Sequence, residues 1–422
     1  MMAIISSSHY LRICRTAQSL NQLTQPNPQS PIPSPSLTIR THTPKEISMS
    51  AKLRAAILGC GGMSRNHIRG YLDTGRYEIV ALADLNPEPM DEVDRQFNIS
   101  PKHYTDARQM MNAERLDVIS ICTWHGGHAP WTIAAAAFGP RAILCEKPMA
   151  DTVGAAEQMM VACRRNGVKL AIAHQRRFLP AYTLAKDLIA QGAIGSVHLI
   201  QSFGGAGLPN YSSHQTDMYR YLLGDDECEW VMGNIERKTD QYERSTRIED
   251  CAMAVFQFRS GPRALILSDL VPNYYQGALI VGSQGMINMT TNDLQLMSAS
   301  TGGQWQRYAP DGKFYKVAEQ GDRFEWLEAG AAQADELADW IEGVVPTHRG
   351  AAENGYKALQ MIHAVYESAR MHEKVVMPMR TRVNPLDLMV ESGHLAPERP
   401  GRYDIRAFLL RGENMSKDDP SV

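Results

Sequence analysis

No apolar stretch in the 422 residues approaches the roughly 18 that a membrane-spanning helix needs, so no segment is expected to cross a bilayer. Neither sign of charge is in excess: 43 Lys and Arg stand against 46 Asp and Glu, a formal net charge of -3. That balance gives no bulk attraction for nucleic acid or an anionic membrane. There is no internal repeat. The seven cysteines are an odd number without any Cys-x-x-Cys spacing, and Cys60, Cys122 and Cys145 fall at sheet positions. The pattern reads as free thiols in a reducing compartment, with a cytoplasmic location expected. Asn-x-Ser/Thr triplets at Asn98, Asn210, Asn288 and Asn414 then say nothing of glycosylation.

The chain is long enough to bury two cores, and the first is written as alternating strand and helix. Residues 53–58 read as a strand running into Gly59, Cys60, Gly61, Gly62, Met63 and Ser64, before a segment, 65–72, that can be helical. Strand, glycine turn and helix are the order a dinucleotide site requires. Gly59 permits the tight turn, and Gly61 lets the backbone approach a pyrophosphate above the helix N-terminus. Ser64 stands where a third glycine or alanine is usual. The second strand, 78–83, ends at Asp84, 25 residues after Gly59. A carboxylate there accepts from ribose hydroxyls and repels a 2′-phosphate, so NAD is favoured over NADP.

A third buried strand, 117–122, ends in Thr123, Trp124, His125, Gly126, Gly127 and His128, with an alanine-rich helix expected over 130–138. The two histidines lack a third ligand at metal spacing and the glycines suggest a turn, so no metal site is expected. Thr123, Trp124 and His128 are candidates for contact with a nicotinamide ribose. The strand 142–145 then stops abruptly at Glu146, Lys147 and Pro148. A buried parallel strand ending in an ion pair and a proline delivers charge to the sheet edge where such folds bind ligands, and Pro148 keeps Lys147 extended. Together these units predict a doubly wound parallel sheet over 51–173.

From 174 the character changes. A helix at 181–191 precedes alternating segments at 197–203, 230–237, 252–258, 264–270, 277–281 and 286–289, which read as open antiparallel sheet. Two late helices, 333–345 and 351–372, are expected to close this second, α+β domain over 174–380. Within it, a glycine-rich loop from Gly204 leads to a segment in which His214 and Asp217, three apart, share one helical face. Taken alone, such a pair is more often a capping or solvated arrangement.

Gly59 and Gly61, the run from Asp117 to Thr123 with His128 behind it, Cys145-Glu146-Lys147-Pro148, and Ala173-His174-Gln175-Arg176-Arg177-Phe178 together resemble the glucose-fructose oxidoreductase, inositol dehydrogenase and rhizopine-catabolism (Gfo/Idh/MocA) family. The resemblance spans roughly residues 52 to 380. It implies a Rossmann domain followed by an open-faced sheet that walls the substrate cleft and commonly forms the oligomer interface. It also implies that Lys147 lies beside the nicotinamide and hydrogen-bonds the reacting hydroxyl, Glu146 positions Lys147, and the Lys147-Pro148 peptide is often cis. The family's aspartate-x-x-x-histidine-x-x-aspartate pattern falls on Asn210, His214 and Asp217. His214 would take the hydroxyl proton, while Arg177, Asn210 and Asp217 would bind neighbouring groups of the substrate. Asn210 departs from the pattern: an amide cannot stabilise an imidazolium as a carboxylate does, which would shift proton transfer toward Lys147.

The expected activity is NAD-dependent oxidation of a secondary hydroxyl in a sugar, cyclitol or related polyol. Two other classes stay open: redox-assisted glycoside cleavage without net NADH, and a cofactor-bound regulator without turnover. Residues 1–50, proline- and serine-rich with a single acid, Glu46, read as a disordered or wrongly included extension in preference to a transit peptide. The tail, 381–422, is expected to pack on a surface at Asn384 to Leu388 and from Pro400 to Ile405.

Overall fold

The passage from the first strand to the first helix already sets the site. Leu53–Leu58 (β1) is a buried apolar run, Gly59 turns the chain with φ +90°, and Gly62–Thr74 (α1) follows, closed by Gly75 in the left-handed conformation. The computed structural model describes residues 51–399, except 244–245, 272–276, 312–313 and 326–327. The expectations for residues 1–50 and for Pro400 to Ile405 lie outside the described residues. Next come Tyr77–Ala83 (β2), Pro87–Phe97 (α2), Lys102–Tyr104 (β3), Ala107–Ala113 (α3), Val118–Ile121 (β4), His125–Ala136 (α4), Ala142–Cys145 (β5), Val153–Arg165 (α5) and Lys169–Ile172 (β6). All strands are parallel, in the order β3-β2-β1-β4-β5-β6. The order reverses between β1 and β4, which places a ligand crevice at their carboxyl ends.

Three elements here escaped the sequence reading. In α2, Pro87 occupies the first turn after an N-cap, Asn86, that accepts from Glu88 N at 3.2 Å; a proline that looks like a loop signal is a helix starter there. The short β3 and α3 lie between. The expected helix after β4 begins five residues earlier than 130, at His125, so Gly126 and Gly127 are inside its first turn. The smallness of Gly127 serves packing: a Cβ there would lie 2.6 Å from Thr123 Oγ1.

The second domain runs through Pro180–Ala190 (α6), Val197–Gly204 (β7), Ser213–Leu222 (α7), Cys228–Glu236 (β8), Tyr242–Glu243 (β9), Thr246–Arg247 (β10), Cys251–Phe258 (β11), Arg263–Ser268 (β12), Gly277–Gly282 (β13) and Gly285–Thr290 (β14). It continues with Leu294–Ser298 (β15), Gln306–Asp311 (β16), Phe314–Val317 (β17), Glu328–Glu342 (α8), Ala352–Met371 (α9), Val375–Val376 (β18) and Pro385–Glu391 (α10). Ten strands form one sheet, antiparallel except where β7 pairs parallel with β12; β9 and β10 make a separate hairpin. Alternate residues of β7, β11 and β12 face a core shared with α6, α7 and α9. The residues between them, on the opposite face, are half-buried or exposed. β15 to β17 extend the sheet beyond what the sequence reading placed.

The two late helices divide their work differently from the expectation. α8 leaves the second domain and covers α1 and β2: Ala334, Leu337, Ala338 and Ile341, at helical spacing, join the core of β1 and β2. Gly70 and Gly330 allow the approach, since a Cβ on Gly70 would stand 2.6 Å from Gly330 O. α9 carries Leu359 in the core of the parallel sheet and Ile362, Val365 and Tyr366 in that of the ten-stranded sheet. Its long apolar face therefore ties both domains. The tail segment around Asn384 packs on its own chain: Asn384 caps α10, and Leu386 and Met389 are buried in the second core. All six cysteines among the described residues are free. No helix there is long and apolar enough to cross a membrane.

Candidate active site

Four loops converge at the carboxyl edge of the parallel sheet. Gly59 lies so close to β4 that a Cβ would stand 2.8 Å from the Cys122 carbonyl, whereas Gly61 and Gly62 face open space. Gly61 is the N-cap of α1 with no side chain capping it, which leaves the first-turn amides directed at that space. Asp84 sits at the end of β2, one oxygen accepting from Cys60 N at 2.7 Å and the other from Asn86 N at 3.0 Å. Thr123 and Trp124 are half-buried at the end of β4. Met63, His67, Glu146, Gln175 and Gln333 line a cleft between α1, the ends of β5 and β6, and α8. In it, Gln175 Oε1 and Gln333 Nε2 are buried without hydrogen-bond partners among the described residues.

His128 does not belong to that edge. It is 1% exposed, with Nδ1 2.7 Å from Pro148 O and Nε2 3.0 Å from Thr123 O. Burial is the main cause that lowers its pKa below the usual histidine value. The buried ring sits between a carbonyl of the loop after β4 and one of the turn after β5, and its single N–H in the neutral form donates to one of them, so the expected ribose contact is corrected to a structural one.

The Glu146-Lys147-Pro148 turn stands on a buried polar chain that the sequence reading missed. Tyr71 OH and Ser120 Oγ are 2.7 Å apart, Ser120 Oγ lies 3.0 Å from His67 Nδ1, and His67 Nε2 lies 3.1 Å from Glu146 Oε1. Burial alone would raise the Glu146 pKa, but His67, Lys147 and His128 together hold it below the usual carboxylate value. An ionised carboxylate only accepts, so His67 Nε2 carries the proton of that bond. The other Glu146 oxygen accepts from Lys147 N at 3.1 Å, which fixes the lysine backbone. His67 and Tyr71, four apart on α1, were the available signal: polar groups on an otherwise buried helix face. The Lys147-Pro148 peptide is cis.

Lys147 reaches into the second domain. Its Nζ donates to Asn210 Oδ1 at 3.0 Å and to Asn210 O at 3.2 Å. His214, in the first turn of α7, is buried, and its Nδ1 has no hydrogen-bond partner among the described residues. Burial first, then the charges of Arg176, Lys147 and His174, hold its pKa well below the usual histidine value. The imidazole is neutral at neutral pH and available as a base.

Asp217 and Arg177 close on each other. Arg177 Nε donates to the two Asp217 oxygens at 2.9 and 2.8 Å, its Nη1 donates to Asp225 Oδ1 at 2.8 Å, and the Arg177 and Asp217 side chains are essentially inaccessible. Burial would raise the Asp217 pKa, but Arg177, His174 and Arg220 lower it. The expectation that these two bind substrate groups directly is corrected: they form a floor beneath His174, whose Nδ1 is 3.8 Å from Asp217 and whose ring meets His214 edge-on at 6.0 Å.

A doubly wound domain with an open cradle above its first helix, closed over its carboxyl edge by a sheet domain that brings a histidine toward a lysine, is the build of a two-domain, dinucleotide-linked oxidoreductase. Residues 53–174 match the oxidoreductase family, NAD-binding Rossmann fold, and residues 201–377 match its C-terminal alpha/beta domain; the chain belongs to the Gfo/Idh/MocA family. D-apiose dehydrogenase of Paraburkholderia graminis is 37% identical over 145 residues, 34% of this chain and 38% of that protein. Inositol 2-dehydrogenase of Burkholderia multivorans is 25% identical over 224 residues, 50% of this chain and 65% of that protein. The chain thus matches less than two thirds of the length of these curated relatives. Levoglucosan dehydrogenase, solved with NADH and levoglucosan, shares the fold with a TM-score of 0.68 at 22% identity, covering 78% of this chain and all of that one.

Proposed function

We propose that this chain is an NAD-dependent dehydrogenase that oxidises a secondary hydroxyl of a sugar, cyclitol or related polyol to the ketone. The observation that carries the reading is Lys147, a buried amine at the end of β5 on the dinucleotide edge, directed at the loop that precedes a neutral histidine. The cradle fits the cofactor. Gly59, Gly61, Gly62 and Met63 would hold the pyrophosphate at the α1 N-terminus, Asp84 the adenosine ribose, Thr123 and Trp124 the other ribose, with Glu146, Gln175 and Gln333 lining the nicotinamide cleft. When bound, NAD supplies the hydride acceptor.

Lys147 exchanges one of its present bonds for the substrate oxygen and stabilises the charge that develops there. His214 takes the hydroxyl proton as the carbon gives up hydride, so the alcohol loses two electrons and two hydrogens in balance. Asn210 orients Lys147, and the Arg177-Asp217 pair keeps His174 and His214 in place. The named relatives act on apiose, inositol and levoglucosan, by their names; the same substrate class is proposed here. A homo-oligomer through the second domain is also proposed, because the outer sheet face carries Met232, Met253, Leu265, Leu267, Leu279 and Met297. The unpaired thiols suit a reducing compartment such as the cytoplasm.

NADH formation across a panel of inositols, aldoses and glycosides tests the reading. Lys147→Ala and His214→Ala should each lower turnover of the best substrate by about 10²-fold or more while NAD binding changes little. Turnover that survives Lys147→Ala unchanged would overturn the mechanism.

A further inference from the structure

We propose that Glu243 is the positioning carboxylate for Lys147, acting through the side-chain amide of Asn210. The proposal rests on the reading of Lys147 as the group that meets the substrate oxygen. Asn210 is 8% exposed and stands between the two charges: its Oδ1 accepts from Lys147 Nζ at 3.0 Å, and its Nδ2 donates to Glu243 Oε1 at 3.1 Å. An amide has distinct ends. Turned the other way, it would set its NH2 against the lysine ammonium and its oxygen against the glutamate carboxylate, unfavourable on both sides. A carboxylate at 243 only accepts, so it selects the orientation that points the amide oxygen at Lys147.

This arrangement accounts for asparagine at 210. An aspartate there would suit Lys147, but it would face Glu243 at hydrogen-bond distance, where two carboxylates cannot both stay ionised. The negative charge is instead one residue further out, and the lysine is oriented by a dipole without being quenched in a direct ion pair with residue 210.

The hairpin that carries Glu243 is held by its own pairing and at two outside points. β9 and β10 pair through Glu243 with Thr246 and Tyr242 with Arg247. Thr246 Oγ1 donates to Asp151 Oδ1 at 3.4 Å, in the loop just past the Glu146-Lys147-Pro148 turn. Arg247 donates to Tyr242 OH at 3.2 Å and to Asp387 of α10 at 2.9 Å. That helix lies beyond residue 377, where the family match ends. Leu208, in the loop before Asn210, is held in turn by Glu249 two residues past Arg247, its N donating to Oε1 at 2.7 Å. The approach of Glu243 to Asn210 is thus built into both loops.

Two readouts on Glu243→Gln, Asn210→Asp and the double variant test the proposal. One is independent of turnover: the pH dependence of Lys147 acetylation by trace acetic anhydride, followed by mass spectrometry of its peptide. The other is the kcat against KM split and the pH profile for the best polyol. Glu243→Gln should lower the Lys147 midpoint by about 0.5–1 pH unit and kcat by about tenfold, with KM within about threefold. Asn210→Asp should introduce a new titration into both readouts, because the carboxylate introduced at position 210 must share a proton with Glu243. The double variant should abolish that titration and return the midpoint to the wild-type value or above.

An unmoved midpoint in Glu243→Gln, or effects that simply add in the double variant, would overturn the proposal. Wild-type protein that oxidises no polyol while its Lys147 midpoint still responds to residue 243 would sink the dehydrogenase reading and support the coupling. Polyol oxidation with an unresponsive midpoint would do the reverse.

Discussion

In the proposed reading, Asp84 is the side chain that selects NAD over NADP. Its oxygens are pinned by Cys60 N and Asn86 N, so the carboxylate has little freedom to turn away from a ligand above the glycine turn. The next cation on α1, Arg65, is spent on Glu92 at 2.7 Å and on the Cys60 and Gly61 carbonyls. A 2′-phosphate would therefore meet a fixed negative charge that the Arg65 guanidinium does not offset, a penalty of about 1–3 kcal/mol at a partly exposed site. Asp84→Ser should reduce the ratio of NAD to NADP affinity, measured by calorimetric titration with each dinucleotide, by about tenfold or more. An unchanged ratio would remove Asp84 as the ribose reader. Residues of this kind were legible in the sequence because their meaning is local: Gly59, Asp84 and Lys147 each end a strand within one βαβ unit. Glu243 was not, since it belongs to a two-residue strand and meets Asn210 across 33 positions of chain. Arg177 and Asp217 were expected to face substrate and instead face each other, because sequence spacing places a side chain on a face without saying what fills the space before it.

At the scale of elements, the parallel strands and the periodic helices could be read from apolar runs and glycine or proline punctuation. What could not be read was partnership. The apolar stripe of α8 announces a buried helix, yet nothing local says that it leaves its own domain to cover α1. The glycines at the crossing carry that information. A Cβ on Gly70 would press to 2.6 Å on Gly330 O, a backbone atom that cannot swing aside, whereas a Cβ on Gly330 would meet Asn66 O at 3.3 Å. Alanine gains about 1 kcal/mol over glycine in a helix interior. At 70 the clash should outweigh that gain, and Gly70→Ala is expected to lose about 1–3 kcal/mol in urea denaturation. Gly330→Ala should stay within about 1 kcal/mol of the parent. Equal effects of the two would mean that the helices separate freely and that this contact does not set their distance. The glycines of α4 misled the reading for a related reason: taken as a turn, they stand inside a helix, where a Cβ on Gly127 would press on Thr123 Oγ1.

The whole molecule holds ionisable groups of opposite sign in its shared core, and their sum predicts how stability varies with pH. Burial pushes His348 and His363 down to about 4. The unfolded chain binds those protons below the ordinary value of 6.5 while the folded chain does not. Stability from this source is complete above the unfolded value and declines as pH falls toward the folded one, by about 2 kcal/mol per histidine at pH 5. Glu249 acts in the other direction. It accepts from Leu208 N and from Tyr366 OH, the latter at 2.5 Å, and burial raises it from 4.5 to about 7. Its contribution is complete below 4.5 and is lost as pH rises to about 7, on the order of 3 kcal/mol. The two slopes oppose each other between pH 5 and 7, but His128, His174 and His214, also held below the usual value by burial, add to the histidine side, so the parent should gain stability as pH rises, a net gain that conceals the opposing loss from Glu249. Single substitutions separate them. Glu249→Gln keeps an acceptor for Leu208 and removes the titration, so its stability relative to the parent should rise by about 2–3 kcal/mol from pH 5 to pH 8. His363→Leu should gain about 2 kcal/mol relative to the parent as pH falls from 7.5 to 5. Urea unfolding across that range measures both differences. Parallel curves for Glu249→Gln and the parent would mean that Glu249 is already ionised in the fold, and that the loop through Leu208 to Asn210 is held by a charge throughout that range.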